Sequence, residues 1–390
     1  MNQKAMIIVL VSLGLTPCSS LGQVDGETLA IRADKIWTIT EDAINDGAVI
    51  LKDGKIDAVG QDLTIPDGAQ VLEIPEGHVT PGLIDAHCHL GLSLNALGEI
   101  DETVSPVTAD MRILDAFDPS SAVLQKALSA GVTTVLLAPG GKNPIGGQAA
   151  LVKLCRGKQD SWLLKRNAGV KLSFGNEALF SDRRPTSRPG LMTLVKEQLD
   201  KAKDYAPDRT DPCSEVLKRV TERDLAVHIW AHTVDEITAS LEIVDQYDLS
   251  AVLVGAEQAD EIAEMLAERE IPVVYAPLLL FSKDKDLKRP GKLADAGVKL
   301  AFSSLAPRTS ACDLRTSAII ATRYGLKRGL ALKSLTIHAA EILGISERLG
   351  SIEKGKDADV VIFSGDPLEL SSRVEVVIVG GQILYQREKQ

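Results

Sequence analysis

The sequence predicts a (β/α)8 barrel joined to a small β-sandwich domain that both chain termini build. Three observations lead there. Between residues 79 and 345, short apolar stretches alternate with helical ones, the pattern of a parallel sheet covered by helices. Eight of the stretches, at 82–89, 132–138, 149–154, 169–175, 226–232, 250–255, 271–277 and 298–304, are rich in Val, Ile, Leu and Ala, and eight is the number that closes such a barrel. Both ends of the chain have a different texture of short β segments between tight turns, and chain termini usually lie close together. The expected division is a leader at 1–22, a composite β-sandwich from 23–78 and 346–390, and a barrel over 79–345.

Taken in order, the first residues read as an export signal. Lys4 is the only charge before Asp25, Ala5 to Leu15 is largely apolar, and the small residues Ser20 and Gly22 precede an expected cleavage near Gln23. The run is too short to span a bilayer comfortably. The expectation is an exported protein, periplasmic or secreted, with no membrane span; the alternative is an unprocessed buried strand. Thr28–Ile39, Ala48–Lys52, Lys55–Gly60 and Gln70–Ile74 then read as strands, bounded by Asp-Gly pairs at 46–47, 53–54 and 67–68. Ala358–Phe363, Val374–Val379 and Gln382–Tyr385 match them at the other end. Between the barrel strands, helices are expected at 119–130, 190–204, 234–246, 258–270, 311–324 and 331–343; Pro119 with Ser120 and Ser121 starts the first and Gly131 stops it.

Composition narrows the function. Apolar residues make up 45% and charged residues 25%, as in a soluble globular protein. The net charge of −11 becomes −12 once Lys4 leaves with the leader, and no basic cluster offsets it. That argues against nucleic acid and anionic membranes as partners. Cys88, Cys155, Cys213 and Cys312 are widely spaced with no Cys-x-x-Cys, so neither a disulfide scaffold nor a cysteine zinc site is indicated.

The chemistry centres on Val79-Thr-Pro-Gly-Leu-Ile-Asp-Ala-His-Cys-His-Leu-Gly91. Residues two apart on a strand share a face, so His87 and His89 present two imidazoles side by side with Cys88 turned away. Two such histidines at a strand end suit a borderline-soft divalent ion, zinc above all. The stretch Pro-Gly-Leu-Ile-Asp-Ala-His-x-His-Leu resembles the first barrel strand of the amidohydrolase superfamily, in which this pair holds the catalytic metal. Gly350-Ser-Ile-Glu-Lys-Gly-Lys-Asp-Ala-Asp-Val-Val361 is a second stretch similar to that family, structural rather than catalytic. The loops Ala138–Gly147 and Phe174–Gly190 resemble those of exported imidazolonepropionase-like members.

That resemblance implies a third metal ligand at the end of the fifth strand, which maps to His232 in Ala226-Val-His-Ile-Trp-Ala-His-Thr233. His228, deeper on the same face, reads as a hydrogen-bonded interior residue. His87, His89 and His232 would give one divalent metal three nitrogens and one open position. Other strand ends depart from the family. Gly255 stands at the strand-six histidine and Leu305 at the strand-eight aspartate that takes the proton of the attacking water. Strand four, where the family carries a bridging lysine or glutamate, offers Glu177, one position displaced. Glu177 and Glu257 are thus the candidate catalytic substitutes for the missing base. Arg183, Arg184 and Arg188 either clamp a substrate carboxylate by forked hydrogen bonds or anchor their loop. His338 and His78 read as structural and surface residues.

Two functions follow from the resemblance. One is a metal-dependent hydrolase, with an incomplete metal site, of an amide or lactam C–N bond in a non-peptide molecule or a small peptide. The other is a family member that keeps the scaffold without catalysis, as a binding protein or as a partner in a homo- or hetero-oligomer with an active relative.

Overall fold

The computed structural model describes residues 28–92, 100–155, 159–206, 210–279 and 281–388. The expected leader at 1–22 lies outside them. Two sheets carry the fold. The first is seven-stranded and takes strands from both ends of the chain: β1 Leu29–Ile36, β2 Ile44–Lys52, β3 Lys55–Gly60 and β4 Gln70–Pro81 from one, and β13 Val360–Phe363, β14 Val374–Val379 and β15 Gln382–Gln386 from the other. Its order is β15-β14-β13-β4-β1-β2-β3, so the two ends meet where β13 pairs antiparallel with β4.

The second sheet is the barrel: β5 Leu83–Cys88, β6 Val132–Leu137, β7 Ile145–Lys153, β8 Leu163–Ser173, β9 Val227–Ala231, β10 Ala251–Gly255, β11 Val273–Tyr275 and β12 Leu300–Phe302. Each falls on an expected strand, and the order runs unbroken from β5 to β12. One expectation fails. The sheet is not all parallel, because β7 runs antiparallel to both β6 and β8. The cause is length. A parallel crossover needs a dozen or more residues, whereas 138–144 is a short loop and the segment between β7 and β8 has room for only a single helical turn, Gln159–Trp162. The second to fourth stretches, β6 to β8, therefore form a hairpin pair inside an otherwise strand–helix barrel.

The barrel closes through the groups at its mouth. His89 N–H donates to Ala306 O at 2.7 Å, and Ile84 N–H donates to Leu335 O at 2.9 Å. The Asp85 carboxylate accepts from Ser304 N–H at 3.1 Å. Apolar side chains of β5 to β12 are almost all buried, in two clusters inside and around the strands. Gly82 joins the two sheets with no room to spare: a Cβ there would overlap Thr133. Gly82→Val is expected to cost about 1–3 kcal/mol by overpacking, measured by denaturant unfolding; an unchanged midpoint would show that the joint can relax. Among the described residues no helix is long and apolar enough to cross a membrane.

Candidate functional site at the barrel mouth

The strand ends converge on a small group of polar side chains. Asp85 is fully buried and accepts from His87 N–H at 3.2 Å, from Ser304 N–H, and from the Ser304 hydroxyl in a very short bond. Burial, only partly offset by these hydrogen bonds, pushes its carboxyl up to about 6. The carboxylate on the seam between first and last barrel strands thus belongs to the first. Leu305, the residue after Ser304, is half-buried and has φ +51°. That left-handed conformation disfavours leucine and suits aspartate or asparagine better.

His87 and His89 come together as expected, their ring centroids 5.6 Å apart. The Nδ1 of His89 is 2.8 Å from Ala138 O. A carbonyl only accepts, so Nδ1 carries the hydrogen and Nε2 keeps its lone pair, the tautomer a metal ligand needs. Burial holds His89 down at about 4 and His87 well below the ordinary imidazole range, so both are neutral. His87 is otherwise engaged, because its Nε2 lies 3.2 Å from Lys171 Nζ.

Lys171 reaches this point from the interior of β8, with its side chain almost wholly buried. It is in register with His228 on β9 and so faces the same interior. Burial drives its amine down to about 7, against the pull of Asp101 and Glu177 and with the help of Arg308. The Trp230 ring lies over it, with Nζ 4.4 Å from the centroid. The same ring stacks on His87 at 5.7 Å and 24°, and meets His232 edge-on at 4.8 Å. Trp230 therefore stands between His232 and the first-strand pair.

His232 is turned toward the other side of the mouth. Its Nε2 is 3.5 Å from Glu177 and its Nδ1 4.0 Å from Glu257. It leans on Gly255, where a Cβ would sit 2.9 Å from its Cε1, so the residue expected to be a histidine has become the space His232 occupies. Burial lowers the His232 pKa, but the Glu177 hydrogen bond and charge prevail and raise it. Glu177 in turn is held below the usual carboxylate range: burial works upward, and the His232 and Trp230 hydrogen bonds outweigh it. The three imidazoles expected to share one ion thus divide two and one. Among the described residues no three His, Cys, Asp or Glu side chains are grouped to hold a metal. In this arrangement the donor set does not fit a three-nitrogen zinc site.

The other expected residues fall as follows. Glu177 reaches the mouth, whereas Glu257 is an exposed rim residue whose side chain lies near His232 and whose backbone carbonyl accepts from Arg289 and Tyr275. The three arginines do not converge on a clamp. Arg183 donates to Lys142 O at 3.0 Å and Asn143 Oδ1 at 2.8 Å, pinning the 138–147 loop, while Arg184 meets Glu197 and Arg188 meets Glu236. Side chains of this length were each free to bond whichever acceptor the fold set beside them. His228 is the interior residue expected, with Nε2 3.3 Å from Ala168 O. Among the described residues the four cysteines, Cys88, Cys155, Cys213 and Cys312, are free.

The residues sequence reasoning passed over are Lys171, Asp101, Asp85 and Arg308. Lys171 had a signal: a lysine between Val170 and Leu172 in an apolar strand must be buried or misassigned. Asp101 had none. It is buried under the 138–147 loop, accepts from Lys142 N–H at 3.3 Å, and burial raises it to about 6. Beside it lies a cavity of about 310 Å3, lined in part by Asp101, Arg112, Pro139, Asn143 and Gly147.

Known proteins share this arrangement of strands. The profile of the amidohydrolase family matches residues 78–384. The amidohydrolase tasK of Hapsidospora irregularis is 25% identical over 88% of this chain; the match spans only 40% of that longer protein. An imidazolonepropionase of Sphingopyxis alaskensis is 26% identical over 89% of this chain and 92% of its own length. The crystal structure of an amidohydrolase from Thermotoga maritima superposes with a TM-score of 0.86 at 31% identity, over 92% of this chain and 100% of that one. With the profile covering the whole barrel and the first-strand histidines at its mouth, the chain belongs to the amidohydrolase family, and within it is imidazolonepropionase-like.

Proposed function

We propose that this chain binds a small amide- or lactam-type molecule at its barrel mouth and hydrolyses it slowly or not at all. The observation that carries this reading is the Trp230 ring between His87 and His232, stacked on one and edge-on to the other. Family members are typically metal-dependent hydrolases. Hydrolysis of a C–N bond needs an activated water and a positioned proton carrier. Here the expected zinc ligands are divided, and Leu305 stands where the resemblance implies an aspartate. What remains suits binding. A cavity of about 310 Å3 beside Asp101 and the 138–147 loop, lined by none of His87, His89, Trp230 and His232, is within the range of small-molecule sites. Imidazolonepropionase relatives support a lactam-sized ligand, and the choice between a lactam, an acylated amino acid and a small peptide rests on the assay.

The second reading is a C–N hydrolase in which Glu177 carries the proton, favoured by its 3.5 Å contact with His232. Its lowered pKa makes it a weak base, which ranks this reading second. The test is a survey of lactams, N-acyl amino acids and dipeptides with the purified protein, with and without added zinc. The expected result is a raised melting temperature with some of these ligands and turnover well below the ordinary range of roughly 1–10³ s⁻¹. Turnover inside that range, abolished by Glu177→Gln, would establish the second reading instead.

A further inference from the structure

We infer that the cavity beside Asp101 takes a protonated primary amine, carried by the small amide ligand, with Asp101 Oδ2 accepting from its N–H groups. The inference rests on the reading above for the amide part of the ligand and adds the charged group that part carries. Asp101 is 5% exposed. Its Oδ1 accepts from Lys142 N–H at 3.3 Å, whereas its Oδ2 is buried and meets no donor among the described residues. A buried carboxylate oxygen left without a donor is costly, so a partner from outside the chain is called for. The fold makes room for this group. Gly140 stands against it, and a Cβ there would overlap Oδ2. Gly140 N–H donates to Ile100 O at 2.8 Å, which fixes the 138–147 loop beside the carboxylate. Lys142, Lys171 and Arg308 act on Asp101 as charges, but among the described residues none forms an ion pair with it.

The cavity itself selects a cation. Its lining carries three carboxylates, Asp101, Glu102 and Asp115, against one guanidinium, Arg112. Arg112 is engaged locally, because its Nε and Nη2 donate to Asp115 at 3.1 and 3.0 Å. Glu102 accepts from Val104 N–H at 2.8 Å. Asp101 Oδ2 is thus left as the buried acceptor, in a lining that stays negative. Among the described residues no three His, Cys, Asp or Glu side chains are grouped to hold a metal, so the cation is organic. An ammonium brings three N–H donors and makes the stronger, charge-assisted kind of bond to a carboxylate. Ile100 and Ile113 supply apolar wall for the stem that carries it.

The experiment compares three probes of one size. β-Alaninamide carries an ammonium where butyramide has a methyl group, and propylamine keeps the amine without the amide. Each is titrated into the full chain at about pH 8, where Asp101 is ionised, burial raising its carboxyl only to about 6. Binding is read by ligand-detected NMR. β-Alaninamide is expected to bind wild type at least about tenfold more tightly than butyramide, the gain of a charge-assisted hydrogen bond. Asp101→Asn keeps the shape and an acceptor for Lys142 N–H; it should abolish that preference and leave the affinity for butyramide as it was. Equal affinities of the two amides in wild type would overturn the inference, with Oδ2 then met by an ordered water, and would leave the amide reading standing. So would a preference that persists in folded Asp101→Asn. Binding of propylamine with neither amide bound would uphold the amine site and overturn the amide reading, and no binding of any probe would overturn both. If Asp101→Asn does not fold by circular dichroism, the wild-type comparison decides.

Discussion

Lys153→Met is expected to lower the unfolding free energy by about 3–5 kcal/mol, the cost of leaving buried charges without their partner. Lys153 ends β7 and its Nζ lies 2.8 Å from Asp357 and 2.9 Å from Asp359, all three side chains at most 6% exposed. Methionine keeps the bulk of the stem and removes only the charge, so the loss is electrostatic rather than a cavity. Asp357 retains Lys55 and Arg348, but among the described residues Lys153 is the one basic side chain paired with Asp359. Lys153→Met with Asp359→Asn should therefore recover part of the loss. Denaturant unfolding of the two variants beside wild type is the measurement, and a loss under about 1 kcal/mol for the single variant would show the network to be solvated. The pH dependence has a definite sign. Burial alone would raise Asp357, but hydrogen bonds from Lys153 and Lys55 hold it down to about 2. A carboxyl depressed on folding stabilises above its unfolded pKa, and that stability is lost as pH falls from about 4 toward 2. In Lys153→Met this acid-linked loss should shrink.

Asp85→Asn and Asp85→Ala are expected to part company. Asparagine can still accept from His87 N–H and Ser304 N–H and can donate to the Ser304 hydroxyl, so the seam between β5 and the segment after β12 stays bonded. Alanine leaves two backbone donors and a hydroxyl buried without an acceptor, at about 1–3 kcal/mol for each unmet group. Asp85→Ala should thus be the less stable by several kcal/mol, with closure of the barrel at risk. Here the sign runs opposite to that of Asp357. A carboxyl raised to about 6 on folding is favoured in its protonated form, so its ionisation costs stability as pH rises through the interval from about 4 to 6. The full cost at neutral pH is about 3 kcal/mol. Because asparagine does not titrate, the stability of Asp85→Asn relative to wild type should rise by that amount between pH 4 and pH 7. A difference that stays flat across that range would mean that Asp85 remains ionised, and that its hydrogen bonds outweigh burial.

All eight barrel strands and the β texture of both ends were legible along the chain. Alternation of apolar stretches with helical ones is a local pattern, and a buried strand announces itself by composition alone. The direction of β7 could have been read as well, since the 138–144 loop is too short to cross over; eight strands in a row suggested a regular barrel and hid it. In the site, His87 and His89 were readable because two residues on one strand have a spacing that the backbone fixes. His228 was readable for the same reason, as an inward residue too deep to reach the mouth.

By itself, then, the sequence determined the strands, the family, the first-strand imidazole pair and the absence of a carboxylate at Leu305, all of them properties of residue identity and short-range spacing. Only the tertiary structure decided which side chains meet. That His232 turns to Glu177 depends on the space above Gly255, and that Trp230 parts it from His87 depends on how β9 faces β5 across the barrel. Lys171 lies inside the expected strand 169–175, short of its outer end, and its Nζ reaches His87 only because a long side chain on β8 is forced inward by the pleat. These meetings join residues 84 apart in the chain, and packing rather than local propensity chooses them: the interior admits one dense arrangement, and charge, ring and cavity settle within it together.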